Sequence, residues 1–484
     1  MDVFKERYTE MNKREYGEKY PSMRFVSEEE AQKATKERKE ILEGVSSAVQ
    51  LGFLGTKLDC RQLSPGCSLC GQGAWSCLFL NNICNAHCFF CPTEQRSKGD
   101  PVTNGISFGD PRDYVAYIGK FQFTGVSISG GEPLLAFERA RNFISAIKRE
   151  FGSNVYLWLY TNGILVTKEK INKLKEAGMD EIRFNIVSSN YVLDKVKLAK
   201  EFIDVVTVEI PAIPEHYDLL KDLVINLEKI NIDFLNLHQL RCTPYNVCNL
   251  VNRGYTFLHG PKVTVLESEM TALRTIQFAI EQRLGFPINY CSFPYKSRFQ
   301  SLGYRKRFAP FVCRTFENIT AAGFIRRMSI KCEPDQLGRI LKTLREKGCD
   351  ESLWYLDGTA NCITFDQSLW KYIDFDKSPL FLNYYVPQLQ SALSYGSSFE
   401  KTPLNRRKTI FIEKRHVVSG RQIGADHTKA FQELIRGGAK NHPSFGGTED
   451  HGSSGNASAP GQELVEFEDI YELEQVPCGL QEYY

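Results

Sequence analysis

Between residues 77 and 290 the hydrophobic positions change period repeatedly. Short β-type runs (SCLFLNN, GVSISG, VYLWLYT, EIRFNIV, VVTVEIPAI and FLNLHQL) are separated by stretches of helical period such as AFERARNFISAIKREF and TKEKINKLKEAG. Strands alternating with helices predict parallel α/β architecture. Gly178 stands where the second of those helices needs a left-handed cap. Six strands are too few for a closed eight-stranded barrel. They predict an open (β/α)6 barrel or a doubly wound sheet, with its site at the carboxyl ends of the strands.

The flanks have other textures. Residues 27–51 predict a helix capped by Ser27, so that 1–59 form a helical extension and 60–77 a cysteine-rich segment. Beyond the barrel, 291–436 are expected to form an α+β domain for a substrate or partner. GFIRRMSIKC reads as a strand and PDQLGRILKTLREKG as a helix. SLWYLDG and ANCITFD read as a hairpin turning at Asp357-Gly358, and RKTIFIEKRHVVSG as another hairpin. Residues 437–484 divide into a Gly-, Ser- and Asn-rich stretch to 462, expected to be a disordered linker, and an acidic end that is a docking segment or a tail.

Composition narrows the function. A net charge of +2 gives the whole chain no electrostatic case for nucleic acid or a membrane. No run approaches the roughly 18 apolar residues of a membrane span, and the charged start is not a secretory signal. These features point to a cytoplasmic protein. Fifteen cysteines in that setting argue for metal binding or redox chemistry rather than disulfides.

Three of them, Cys84, Cys88 and Cys91 in CNAHCFFCP, follow the first predicted strand directly and so lie on the loop at its carboxyl end. Structural zinc sites close their coordination. Three thiolates instead leave one iron of a cubic cluster open to an exogenous ligand. C-x3-C-x-aromatic-C, with Phe90 before the last cysteine, resembles the signature of the radical S-adenosylmethionine superfamily. SISGGEP (127–133), LYTNG (159–163), FNIVSS (184–189) and VEIPAIP (208–214) then arrive on successive strands, in the order of that superfamily.

The resemblance implies a partial (β/α)6 barrel carrying a [4Fe–4S] cluster on Cys84, Cys88 and Cys91. Its open iron would chelate S-adenosylmethionine, and reductive cleavage would give a 5′-deoxyadenosyl radical. It further implies cofactor contacts from Phe90, Gly130, Gly131, Glu132, Asn162, Asn185, Ser188 and Ile213, and an electron donor such as flavodoxin or ferredoxin. VEIPAIP is similar to a segment of the glycyl-radical-enzyme activases and related maturases. By themselves, Gly130 and Gly131 permit close backbone approach to a ligand, and Glu132 offers a carboxylate to an ammonium.

Cys60, Cys67, Cys70 and Cys77 precede the barrel with spacing C-x6-C-x2-C-x6-C in a turn-rich segment. They are candidates for an auxiliary metal: structural zinc, one rubredoxin-like iron or a second cluster. Cys77 is alternatively a core residue of the strand. The later cysteines read as buried thiols; Cys291 is a candidate catalytic thiol, and His238 at a strand end a candidate acid or base. The expected substrate is a peptide or protein. Alternatives are a small metabolite, or RNA, on the basic-aromatic stretch 295–308 alone. A zinc-binding interaction module without catalysis is the non-enzymatic alternative.

Overall fold

The computed structural model describes residues 2–97, 99–357, 361–375, 378–392, 397–437 and 467–484; the expected linker lies outside them except for Gly437. The chain divides into two compact units, Met1–Ser301 with Cys478–Tyr484, and Leu302–Pro477.

The first unit is built on seven parallel strands: β1 Trp75–Phe79, β2 Gly125–Ser129, β3 Tyr156–Thr161, β4 Glu181–Phe184, β5 Val205–Pro211, β6 Phe234–His238 and β7 Ile288–Cys291. Each pairs with the next in chain order. With no reversal there is no topological switch point, so the sheet is a singly wound partial barrel, not a doubly wound sheet. The six expected strands are present and β7 extends them. Its four residues lie between Pro287 and Pro294, too short a run to show a period. Antiparallel Lys57–Cys60 pairs with β7 at one edge, and the hairpin of Val102–Thr103 and Ile106–Ser107 pairs with β1 at the other.

Alternate strand residues are apolar. Val126, Ile128, Leu157, Leu159, Ile182, Phe184, Val206, Val208, Leu235 and Leu237 are wholly buried, as are Ile144, Leu220 and Val224 of the crossover helices. Each such side chain contributes roughly 1.5–3 kcal/mol on burial. The intervening residues carry charge and polarity. Arg183 donates to Glu181 at 2.7 Å, to Glu209 at 2.8 Å and to Ser64 Oγ at 3.0 Å. Ser64 caps the helix Pro65–Gly71, so this network ties the cysteine-rich segment to the barrel. The fit is close: a Cβ on Gly66 would stand 2.3 Å from the Arg183 guanidinium.

Ser27 caps the helix Glu28–Val45 in a reciprocal capping box with Glu30. Arg38 of that helix lies 3.1 Å from Glu269 and 4.1 Å above the Tyr483 ring. The final residues are therefore packed into the first unit.

The second unit is an antiparallel half-barrel. Its strands run in the order Trp354–Asp357, Cys362–Phe365, Ile325–Lys331, Leu380–Gln390, Thr409–Ile423 and Ser398–Pro403. The first two pair as expected. RKTIFIEKRHVVSG is not a hairpin. It lies within one long strand that pairs with both Leu380–Gln390 and Ser398–Pro403, because no turn residue interrupts it before Gly420. Part of the acidic end is the helix Glu468–Glu474, whose Glu474 is buried against Arg326 and the Tyr384 hydroxyl. It is a core element, not a tail.

Replacing Arg183 with Met would leave Glu181 and Glu209 buried without their cation. Urea unfolding should show a loss of about 3–5 kcal/mol; an unchanged midpoint would mean that the network does not brace the barrel.

Candidate active site

After β1 the chain turns across the carboxyl ends of the strands. Leu80 N–H donates to Ser129 O at 2.8 Å, Gly131 N–H to Asn81 O at 2.9 Å and Glu132 N–H to Ile83 O at 2.7 Å. Residues 80–83 and 129–132 thus continue the β1–β2 pairing as a short ladder. The two glycines make the ladder possible. A Cβ on Gly131 would stand 2.0 Å from the Ile83 carbonyl oxygen, and one on Gly130, whose φ is +128°, 2.4 Å from the Asn81 oxygen. The close approach read from this motif is real, and the backbone that approaches is that of the cysteine loop.

Glu132 is also different from its expectation. Its carboxylate accepts from Leu134 N–H at 2.9 Å, Thr161 Oγ at 2.9 Å and Asn162 N–H at 2.7 Å, and the residue is 1% exposed. It braces the ends of β2 and β3, and burial raises its pKa. One of a carboxylate's roughly four acceptor positions remains for an ammonium.

The loop carries Cys84, Cys88 and Cys91 at the rim, all as half-buried free thiols. Donors point at their sulfurs: Ala86 N–H at 3.4 Å and Asn162 Nδ2 at 3.7 Å to Cys84, and Gln95 Nε2 at 2.7 Å to Cys91. Burial, with Cys84 and Cys91 beside it, pushes the Cys88 thiol up to about 11. Donors on sulfur favour thiolate, and three neighbouring thiolates need a cationic centre to share. The donor set therefore fits an iron–sulfur cluster.

From beyond β6, Thr243 Oγ donates to Pro92 O at 3.0 Å, Asn246 Nδ2 to Phe90 O at 2.9 Å and Asn249 Nδ2 to Phe89 O at 3.3 Å. The sequence reading missed this clamp. Its local signal is the Thr243-x-x-Asn246 turn, in which Thr243 N–H donates to Asn246 Oδ1 at 2.8 Å. Phe90 packs edge-on to Phe89 and against the core around Leu240 and Val247. Tyr245, between the clamp residues, is exposed.

The remaining expected contacts lie on the same rim. Asn162 also donates to Asn85 at 2.7 Å. Asn185 caps the turn after β4, and the buried Ser188 Oγ has no partner among the described residues. Ile213 follows β5; its side chain is buried and its carbonyl accepts from His216 N–H. His238 ends β6 directly opposite Cys291 at the end of β7. Burial, helped by Lys296 and Lys57 and opposed by Glu209, brings His238 down to about 3. Its imidazole is therefore neutral at ordinary pH and able to accept a proton or hydrogen bond.

Cys60, Cys67, Cys70 and Cys77 are not gathered. Cys77 lies within β1 opposite Ser127. Lys57, not Cys60, is the neighbour of Cys291, because Cys60 pairs three residues away with Ile288. The Cys60 side chain lies outside the described residues. The stretch 295–308 is not a basic surface strip. Tyr295, Phe299 and Phe308 are buried, and Arg298 donates to Gly479 O at 2.8 Å. That removes the observation on which an RNA substrate rested.

A parallel partial barrel with three thiols on the loop leaving its first strand defines a class of iron–sulfur enzymes that cleave S-adenosylmethionine. Residues 78–227 match the family model described as the Radical SAM superfamily, so the chain carries a radical SAM domain there. A protein of Methanocaldococcus jannaschii, provisionally named a glycyl-radical enzyme activating enzyme, is 27% identical over 367 residues, 73% of this chain and 96% of its own. A provisionally named GTP 3',8-cyclase of Methanococcus aeolicus is 33% identical over 105 residues, 21% of this chain and 33% of its own. The solved structure of SuiB from Streptococcus suis matches with 16% identity and a TM-score of 0.32, covering 44% of this chain and 48% of that one. No helix among the described residues is long and apolar enough to cross a membrane.

Gly131→Ala places a methyl group against the Ile83 carbonyl. The variant should fold, by circular dichroism, yet bind well under half the wild-type iron and sulfide on reconstitution. Full cluster loading would show that the ladder does not position the loop.

Proposed function

We propose that this enzyme acts on a protein or peptide, as an activase or maturase. Cys84, Cys88 and Cys91 would hold the [4Fe–4S] cluster. With one electron from an external donor, S-adenosylmethionine bound there would supply a 5′-deoxyadenosyl radical for hydrogen abstraction from the substrate. The observation that carries the catalytic part is the docked loop: three thiols at the rim, with N–H donors on two of their sulfurs.

This chain's own residues divide the remaining work. The Gly130-Gly131 ladder and the Thr243–Asn246 clamp fix the loop on two sides. Asn162 orients Asn85 and Cys84 beside the braced Glu132. Ser188 Oγ and the Asn185 turn offer polar atoms to a ribose or carboxylate. The neutral His238 ends β6 at the barrel interior, where a substrate carbon would meet the radical.

Two observations support a protein substrate. The relative provisionally named as an activating enzyme is matched over nearly its whole length. The half-barrel also ends in the exposed edge strand Ser398–Pro403, and an extended peptide can add to such an edge. A small-metabolite reading is favoured by one observation. Buried Asn236 Oδ1, Asn289 Oδ1 and Gln239 Oε1, all in the first unit, have no partner among the described residues.

The test uses anaerobically reconstituted protein with a reductant and S-adenosylmethionine. Wild type should form 5′-deoxyadenosine, and Cys88→Ala should form none. A protein substrate should raise that yield and, for an activase, acquire a glycyl-radical EPR doublet. Stimulation by small metabolites but by no protein would reverse the substrate assignment. Undiminished cleavage by Cys88→Ala would overturn the catalytic one.

A further inference from the structure

Two of the four N-terminal cysteines lie on a helix that Tyr295 ties to the far edge of the barrel, where Cys291 ends β7. Cys67 and Cys70 lie one turn apart on the helix Pro65–Gly71. Tyr295 joins this helix to the β7 edge. Its hydroxyl donates to Cys67 O at 2.8 Å, and its ring centroid lies 5.0 Å from Lys57 Nζ. Lys57 is in turn the register partner of Cys291.

Their sulfurs are furnished like those of the rim loop. Asn236 Nδ2 lies 3.2 Å and Arg183 Nη1 3.7 Å from Cys67 Sγ, and Gln300 Nε2 donates to Cys70 Sγ at 2.9 Å. A neutral thiol is a weak acceptor, whereas donors on sulfur stabilise thiolates and tune the centre they bind.

Lys57 is the second observation. It is 0% exposed, and its ammonium has no hydrogen-bond partner among the described residues. Burying such a charge uncompensated costs several kcal/mol. Its neighbour in register is Cys291, so a thiolate there would be the charge for Lys57 to balance.

We propose that Cys67, Cys70 and Cys291 ligate a second iron–sulfur cluster inside the barrel, with Lys57 as its charge-compensating cation. Three thiolates outnumber by one the positive charges of an oxidised cluster core, and one ammonium restores neutrality. Among the described residues no three Cys, His, Asp or Glu side chains gather around one ion, here or at Cys84, Cys88 and Cys91. A cluster meets its thiolates at different irons and does not require that convergence. Cys60 is excluded by its register, about 10 Å along the strand from Lys57, and Cys77 by its place on β1 opposite Ser127.

The test starts from the full chain with Cys84, Cys88 and Cys91 all replaced by Ala, reconstituted with iron and sulfide. It should retain one cluster, about two or four irons, with an EPR signal on reduction. Adding Cys291→Ser should remove that iron, whereas adding Cys60→Ala and Cys77→Ala should not. Lys57→Met should leave the cluster bound but move its reduction potential negative, which a packing role alone would not do. An iron-free triple variant, zinc in place of iron, or a residual cluster that survives loss of Cys67, Cys70 and Cys291 would overturn the assignment. Circular dichroism separates these outcomes from misfolding. In the Cys67/Cys70/Cys291 variant the rim cluster should persist, so the two assignments fail independently.

Discussion

The site depends on a backbone contact with no room in it. Gly131 meets the Ile83 carbonyl at a distance that no Cβ could occupy. That contact continues the β1–β2 ladder past the end of the sheet, and the ladder decides where Cys84 emerges. Asn246 and Thr243 hold the other end of the loop from across the barrel. Three cysteines on a free loop would be costly to order. Held at both ends by strand termini, they present their thiols with most of that entropy already lost in folding.

Beneath the rim, the barrel interior is charged rather than oily. Arg183 pairs with both Glu181 and Glu209 and also reaches Cys67. Removing charges from water is expensive, so such a network persists only when nearly every group is paired. Lys57 is the exception: it is buried without a hydrogen-bond partner among the described residues and stands beside Cys291 in register.

Much of this was legible in the sequence. The six strands and their helices follow from period and spacing, and the order of the rim motifs from the family resemblance they carry. His238 was legible as a polar residue at a strand end, whereas Arg183 and Asn236 were not singled out. β7 was not legible, because four residues between prolines carry no measurable period. The grouping of Cys67 and Cys70 with Cys291 that we propose was not legible either. Proximity in the chain favoured Cys60 and Cys77, and only strand register separates Cys60 from Lys57 and Cys291. The roles of the Gly-Gly-Glu residues were half legible: glycine announces a close approach but does not say what approaches.

The central claim is that the rim loop leaves one iron of its cluster open to the cofactor. The direct measurement is electron–nuclear double resonance on the reduced protein with S-adenosylmethionine carrying labelled amino nitrogen and carboxylate oxygen. The account predicts a changed EPR signal with hyperfine coupling to both labels. A cluster signal that the cofactor leaves unaltered, without coupling, would mean that all four irons are closed, and would contradict the account.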